Sequence, residues 1–271
     1  MAPELPSSCC MRGSIHTGET TGTETVIHNL KTYVAIPESP SDIKGTIVII
    51  PDVFGWDFVN VRLLADSYAK RGGFRVLIPD FHFGTAFAKD SLDVVFPLRG
   101  FELPWYKRIW DMVFTFPKFL GWFWAHREAV SRPIITRFFE SLREELASTS
   151  GGKLGVIGFC WGGRYAVLMD PYVDAIYTAH PSFLQVPTEV EAVTKPISFA
   201  LGEKDIVVPM KQVDQIKGIL KKKESLDSEV VVYEGMLHSF AIRGNPAFEA
   251  EKKGLEGSET QAVDWFIKHL A

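Results

Sequence analysis

Cysteine is scarce in this 271-residue chain: there are three, and two of them, Cys9 and Cys10, are adjacent. That number and spacing exclude a disulfide framework. No C-x-x-C pair or clustered ligand set accompanies Cys9-Cys10, and His16 and His28 are too scattered to help, so Cys9-Cys10 read as surface or packing thiols and neither metal nor organic cofactor is expected. The first 13 residues lack the apolar core of a signal peptide. No stretch forms an uninterrupted membrane span either; Ile109–Ala125 comes nearest, but Asp111, Pro117 and Lys118 break it. Basic residues do not cluster and the formal net charge is −4, which leaves nucleic-acid binding without support. There is no internal repeat and no linker-like tract. These absences point to a reduced, cytoplasmic protein; it is expected to be a monomer or homodimer with a small-molecule substrate.

What is present is an apolar α/β pattern, with 46% of the residues hydrophobic. Residues 1–30 are polar and rich in Gly, Thr and Ser, and are expected to form an extended arm with little regular structure; 31–271 should be one domain. Lys31–Ile36 reads as a strand, and Gly45–Pro51 as a near-continuous apolar strand covered on both faces. Asp57 is placed to cap a helix carrying Val61, Leu64, Ala65 and Tyr68, which Gly72-Gly73 stop. Further strands follow at Phe74–Asp80, Leu154–Ile157, Val173–Ala179, Pro196–Gly202 and Ser228–Tyr233. Helices are expected over 131–148, 161–169, 210–223 and 261–270. Strand and helix in alternation imply a mostly parallel central sheet flanked by helices.

One stretch breaks the rhythm. Residues 86–125, after the third predicted strand, hold Phe87, Phe96, Phe101, Trp105, Tyr106, Trp110, Phe114, Phe116, Phe119, Trp122, Phe123 and Trp124. Aromatic density of this kind signals burial. It fits a helical cap or pocket wall over a site, a core-packed helix pair, or a dimer face; contact with a membrane surface is the weaker option.

Gly158-Phe159-Cys160-Trp161-Gly162 carries the chemistry. It closes a predicted strand in the G-x-nucleophile-x-G form of a strand-to-helix elbow, whose flanking glycines make room for the neighbouring strand and helix. A thiol at a helix start lies near unpaired N–H groups and the positive end of the helix dipole, which favours thiolate. A glycine-rich turn around a merely structural cysteine would look the same, so the partners decide. Asp205 and His238 stand at two further predicted strand exits. Their order, nucleophile then acid then histidine, is that of the α/β-hydrolase fold. His238 would take the thiol proton and Asp205 would fix the imidazole tautomer. The oxyanion would fall to two backbone amides, those of Trp161 and Val53.

Pro51-Asp52-Val53-Phe54-Gly55, Gly158-Phe159-Cys160-Trp161-Gly162-Gly163, Gly202-Glu203-Lys204-Asp205 and His238-Ser239-Phe240-Ala241 together resemble the dienelactone hydrolases, and with Cys9-Cys10 and His238–Gly244 the fungal members in particular. The resemblance implies an α/β-hydrolase fold, no cofactor, and an acyl-cysteine route through Cys160, His238 and Asp205. Two departures bear on the substrate. Asp52 replaces the glutamate that tunes the thiol in bacterial members, and Asp80-Phe81-His82-Phe83-Gly84 lacks their carboxylate-binding arginine. Arg243 is the candidate for the second such arginine, one position late. Asp52, His180, Phe240 and Arg243 are therefore the candidate substrate-binding or thiol-tuning residues, and a larger or more apolar ester or lactone is expected instead of a small dicarboxylate. The alternatives are a polyketide-pathway enzyme using the same site for lactonisation or isomerisation, and a ligand-binding relative without catalysis.

Overall fold

The computed structural model describes residues 15–39, 43–87, 113, 117–149 and 152–271. Cys9-Cys10 and most of the aromatic stretch, including Phe96, Phe101, Trp105, Tyr106, Trp110, Phe114 and Phe116, lie outside these residues.

Among the described residues, eight strands form one sheet: β1 (Thr23–Ile27), β2 (Leu30–Ala35), β3 (Thr46–Ile50), β4 (Arg75–Pro79), β5 (Leu154–Phe159), β6 (Ala175–Ala179), β7 (Ile197–Gly202) and β8 (Ser228–Tyr233). The spatial order is β1-β2-β4-β3-β5-β6-β7-β8. β3 to β8 run parallel, and β2 is antiparallel to both its neighbours, β1 and β4. Every residue of β3, β5, β6 and β7 is buried, which is why these strands read as unbroken apolar runs. The edge strands differ: β1 is largely exposed and β8 half-buried.

The helices are α1 (Val59–Gly72), α2 (Glu128–Thr149), α3 (Trp161–Leu168), α4 (Thr188–Ala192), α5 (Met210–Lys221), α6 (Phe240–Arg243) and α7 (Glu249–Leu270). Residues 117–125 are also helical. The sheet is covered on both faces. On β5, a Cβ at Gly155 would strike Phe266 of α7, whereas a Cβ at Gly158, on the opposite pleat, would strike Gly162 and Gly163 of α3. The chain passes from β3 outward to β4 and then back across to β5, so the carboxyl ends of β3 and β5 flank the point where the winding reverses. Crevices form at such points in open α/β sheets.

Three expectations need correction. Residues 23–27 are a strand, not irregular arm: β1 closes a hairpin onto β2 through His28 and Asn29, both in the left-handed region. The N-cap of α1 is Phe58, with no side-chain capping bond, in place of Asp57. The last helix begins at Glu249 and not near Gln261. Gly254 and Gly257 hide its first half from periodicity, yet packing requires them: a Cβ at Gly254 would come within 2.4 Å of the Met236 sulfur, and one at Gly257 within 2.8 Å of the Tyr233 ring. Among the described residues no helix is long and apolar enough to cross a membrane.

Candidate active site

β5 ends at Phe159, and Cys160 turns the chain into α3 with φ 52° and ψ −112°, a conformation that non-glycine residues adopt only under constraint. The constraint is visible. The Cys160 amide donates to Ala179 O (3.3 Å) and to His180 Nδ1 (3.1 Å), while the Cys160 carbonyl accepts from the amides of Gly163 (3.0 Å) and Ser182 (2.8 Å). The glycines serve close approach: a Cβ at Gly162 would sit 2.1 Å from Ile50 O and 2.6 Å from Pro51 O, so α3 starts directly against the end of β3. Because these are main-chain atoms that cannot swing aside, Gly162→Ala is expected to cost at least ~1–3 kcal/mol in urea unfolding. An unchanged midpoint would mean that the elbow has slack.

The side chains named at three strand exits converge. His238, from the loop after β8, places Nε2 3.4 Å from Cys160 Sγ, and its Nδ1 donates to Asp205 Oδ2 at 2.8 Å. All three are buried. Asp205 is itself held by the amides of Val207 (2.8 Å) and Val208 (3.2 Å) on Oδ1, leaving Oδ2 for the imidazole. Burial alone would push the Cys160 thiol up; the charge of His238 and its hydrogen bond to sulfur outweigh that and hold the thiol below its ordinary value. Burial likewise pushes His238 down, but the facing sulfur and the Asp205 carboxylate reverse the sign and lift it to about 9. Thiolate and imidazolium thus stabilise one another.

Of the candidate substrate-binding or thiol-tuning residues, Asp52 and Arg243 pair with one another. Asp52 Oδ2 lies 3.2 Å from Arg243 Nε, both side chains fully buried, and Asp52 Oδ1 accepts from the Phe54 amide at 3.0 Å. Arg243 also donates to Ser239 Oγ and lies over the Phe54 ring at 4.9 Å. It is sealed in the core beside Asp52, not presented to a ligand. Burial raises Asp52 against the pull of Arg243, and the pair acts on the thiol with opposite signs, Asp52 raising it and Arg243 lowering it. His180 is fully buried behind the elbow with Nδ1 accepting the Cys160 amide; burial first, then His238 and Arg243, push it well below its ordinary value, so it is neutral. Phe240 packs its ring on His180 and Tyr233 at centroid distances of 5.9 and 4.9 Å.

A cavity of about 230 Å³ opens beside the nucleophile, with Phe123, His126, Trp161, Arg164, Ser182 and Phe183 among its walls. Phe123 belongs to the described part of the aromatic stretch; its ring meets Phe183 at 5.0 Å, and neighbouring Trp122 meets Trp161 at 6.0 Å. Arg164 is neutralised by Glu189 and Glu128. Ser182, which sequence reasoning passes over, has its hydroxyl 3.4 Å from Cys160 Sγ and 3.2 Å from His238 Nε2. The only available signal was its place two residues past His180 at a strand exit. His82 is buried among Trp122, His126 and Trp161, and burial pushes it down to about 3. Among the described residues no group of three or more His, Cys, Asp or Glu side chains could hold a metal ion.

Comparisons with known proteins place the chain in a family. The family model described as "Dienelactone hydrolase family" matches residues 30–270. The chain is 28% identical to hydrolase pyvD of Aspergillus violaceofuscus over 267 residues, covering 98% of this chain and 97% of that one. It is 24% identical to the carboxymethylenebutenolidase homolog of Mus musculus, with 92% and 91% covered. Among solved structures, a dienelactone hydrolase-like promiscuous phosphotriesterase from metagenomic libraries superposes with a TM-score of 0.59 at 19% identity, over 94% of this chain and 100% of that one, and so shares the fold. With a single family model spanning the chain from β2 to the last residue of α7, this α/β-hydrolase chain belongs to the dienelactone hydrolase family.

Proposed function

We propose that the chain hydrolyses an ester or lactone through a Cys160-His238-Asp205 triad and an acyl-cysteine intermediate. The observation that carries this reading is the buried chain of contacts from Sγ to Nε2 to Asp205, 3.4 and 2.8 Å long, with its nucleophile held at an elbow beside a cavity. The thiolate attacks the substrate carbonyl carbon. The charge gathering on the carbonyl oxygen is met by the amides of Trp161 and Val53: Trp161 opens α3, where an amide has no intrahelical acceptor, and Val53 follows the strand end against which Gly162 packs. The imidazolium of His238 then protonates the departing alkoxide oxygen, the C–O bond breaks, and a thioester is left on Cys160. Neutral His238 next takes a proton from water, the resulting hydroxide adds to the thioester carbon, and collapse returns carboxylic acid, thiolate and imidazolium. Asp205 keeps the Nδ1–H tautomer throughout. The cavity, walled by Phe123, Trp161 and Phe183, suits a ring-sized apolar group on either side of the scissile bond. Of the aromatic stretch, the described Phe123 stands in this wall.

The test is a panel of small esters and lactones with acyl-enzyme trapped by acid quench, intact mass and peptide mapping, together with product identification. An adduct on Cys160 and release of the ring-opened acid support the proposal; turnover with no adduct on Cys160 under any quench, or an adduct on another residue, overturns it.

The ion pair has a separate signature. Because the thiol is held low and His238 retains its proton to about 9, iodoacetamide alkylation of Cys160 should rise through a midpoint below the ordinary thiol range. Removing the imidazole in His238→Asn leaves Arg243 as the remaining pull against burial, so the midpoint should move upward. A native midpoint in the ordinary thiol range would sink the ion pair.

A further inference from the structure

Ser182 is placed by the backbone, not by chance. Its amide donates to the Cys160 carbonyl at 2.8 Å, which latches the loop after β6 onto the elbow. Two residues earlier, His180 Nδ1 accepts the Cys160 amide at 3.1 Å, so the same loop grips the nucleophile from both sides. The Ser182 hydroxyl is thereby fixed at the third corner of a triangle with Cys160 Sγ (3.4 Å) and His238 Nε2 (3.2 Å). Of the three, Ser182 alone is among the residues lining the cavity. The hydroxyl of this cavity-lining residue therefore stands 3.2 Å from His238 Nε2.

We propose that Ser182 is a catalytic residue of deacylation, whose hydroxyl holds the attacking water against His238. The assignment rests on the acyl-cysteine reading above. In the resting site the Nε2 proton of the imidazolium is shared between sulfur and Ser182 Oγ, and the Ser182 proton is directed at the thiolate. Once Cys160 is acylated, sulfur is a poor acceptor and His238, having given its proton to the leaving oxygen, is neutral. Water entering from the cavity then gives one hydrogen bond to Nε2 and the other to Ser182 Oγ, a two-point hold that aims its oxygen at the thioester carbon. The proton on the Nε2 side passes to His238 as the C–O bond forms. The C–S bond breaks on collapse, the carboxylic acid leaves with the other water hydrogen, and Ser182 ends as it began. Attack on the substrate by the thiolate needs no such water, so the two half-reactions should depend on Ser182 differently.

The experiment is stopped-flow hydrolysis of p-nitrophenyl acetate by native chain, Ser182→Ala and Ser182→Thr, with intact mass of quenched samples. In Ser182→Ala the nitrophenol burst, which reports acylation, should stay within about two-fold, while steady-state turnover falls on the order of ten-fold or more and acetyl-Cys160 accumulates. Ser182→Thr keeps the hydroxyl and should recover most of the loss, which a merely packing role would not predict. Equal losses of burst and turnover in Ser182→Ala, or no loss in either, would overturn the role of Ser182 and leave the acyl-cysteine reading intact. Turnover by the native chain without any Cys160 adduct would overturn both. A Ser182→Ala chain that fails to fold transfers the same test to Ser182→Cys and Ser182→Thr, where a selective loss of deacylation in the thiol variant and its absence in the hydroxyl variant is the required result.

Discussion

Cys160→Ala should reduce kcat/KM for every ester that the native chain hydrolyses by on the order of 10⁴-fold, equivalent to about 5.5 kcal/mol of transition-state stabilisation. The size follows from what disappears. Without sulfur no covalent intermediate forms, and His238 loses the thiolate that holds its proton in place. Cys160→Ser should fall nearly as far, because a hydroxyl is far less acidic than a thiol and the His238 charge that suffices to ionise sulfur cannot ionise oxygen. The remaining oxyanion donors and His238 would still speed attack by water slightly, so the residual rate should exceed that of buffer. His238→Ala in the Cys160→Ala background should cost little more, since groups that act as one unit are not additive. The measurement is initial-rate hydrolysis with the unfolding midpoint recorded alongside. A Cys160→Ala rate within ten-fold of native would transfer the chemistry to water activated at His238 and would falsify covalent catalysis.

Much of the domain was legible because its central strands have both faces covered. β3, β5, β6 and β7 appear in the sequence as apolar runs ended by polar residues, and those endings are where Asp52, Cys160, His180 and Asp205 stand. The elbow was legible for a steric reason: the contact of Gly162 with the β3 main chain admits no side chain, so the glycine spacing survives as a pattern. What depends on three-dimensional placement left weaker traces. β1 is an edge strand with an exposed, polar sequence, and polar edge strands resemble loops. Gly254 and Gly257 break the apolar rhythm of α7 exactly where Met236 and Tyr233 demand a thin helix face. Ser182 has no motif; its hydroxyl matters because a backbone bond joins two strand exits. Arg243 is marked in the sequence only through the family resemblance, as a substrate-binding or thiol-tuning candidate, and it takes the fold to place it in the core against Asp52.

That sealed pair carries the second large effect. Arg243→Met should destabilise the chain by ~3–5 kcal/mol at neutral pH, because it leaves the Asp52 carboxylate buried without its counter-charge. Methionine replaces much of the lost volume and can still lie over Phe54, so packing contributes less than charge. Asp52 responds by taking up a proton. Burial already raises its pKa, and removal of Arg243 removes the largest opposing pull. The sign of the pH dependence follows: an acid whose folded pKa stands above its unfolded value favours the fold below the unfolded pKa and loses that contribution as pH rises through the folded one. The deficit of Arg243→Met should therefore shrink as pH falls towards the carboxylate range and grow above it. Asp52→Asn in the same chain removes the orphaned charge and should restore a large part of the loss, so that the double variant is more stable at neutral pH than Arg243→Met alone. Urea unfolding of the three chains across pH measures all of this, and a deficit below about 1 kcal/mol, or one that grows on acidification, would mean that the pair is not what holds the β3 exit to α6. The same substitutions reach the thiol, because Arg243 lowers and Asp52 raises its pKa. Arg243→Met should shift the alkylation midpoint of Cys160 upward, and the added Asp52→Asn should bring it back. A pair that served packing alone would move the unfolding curve and leave that midpoint where it was.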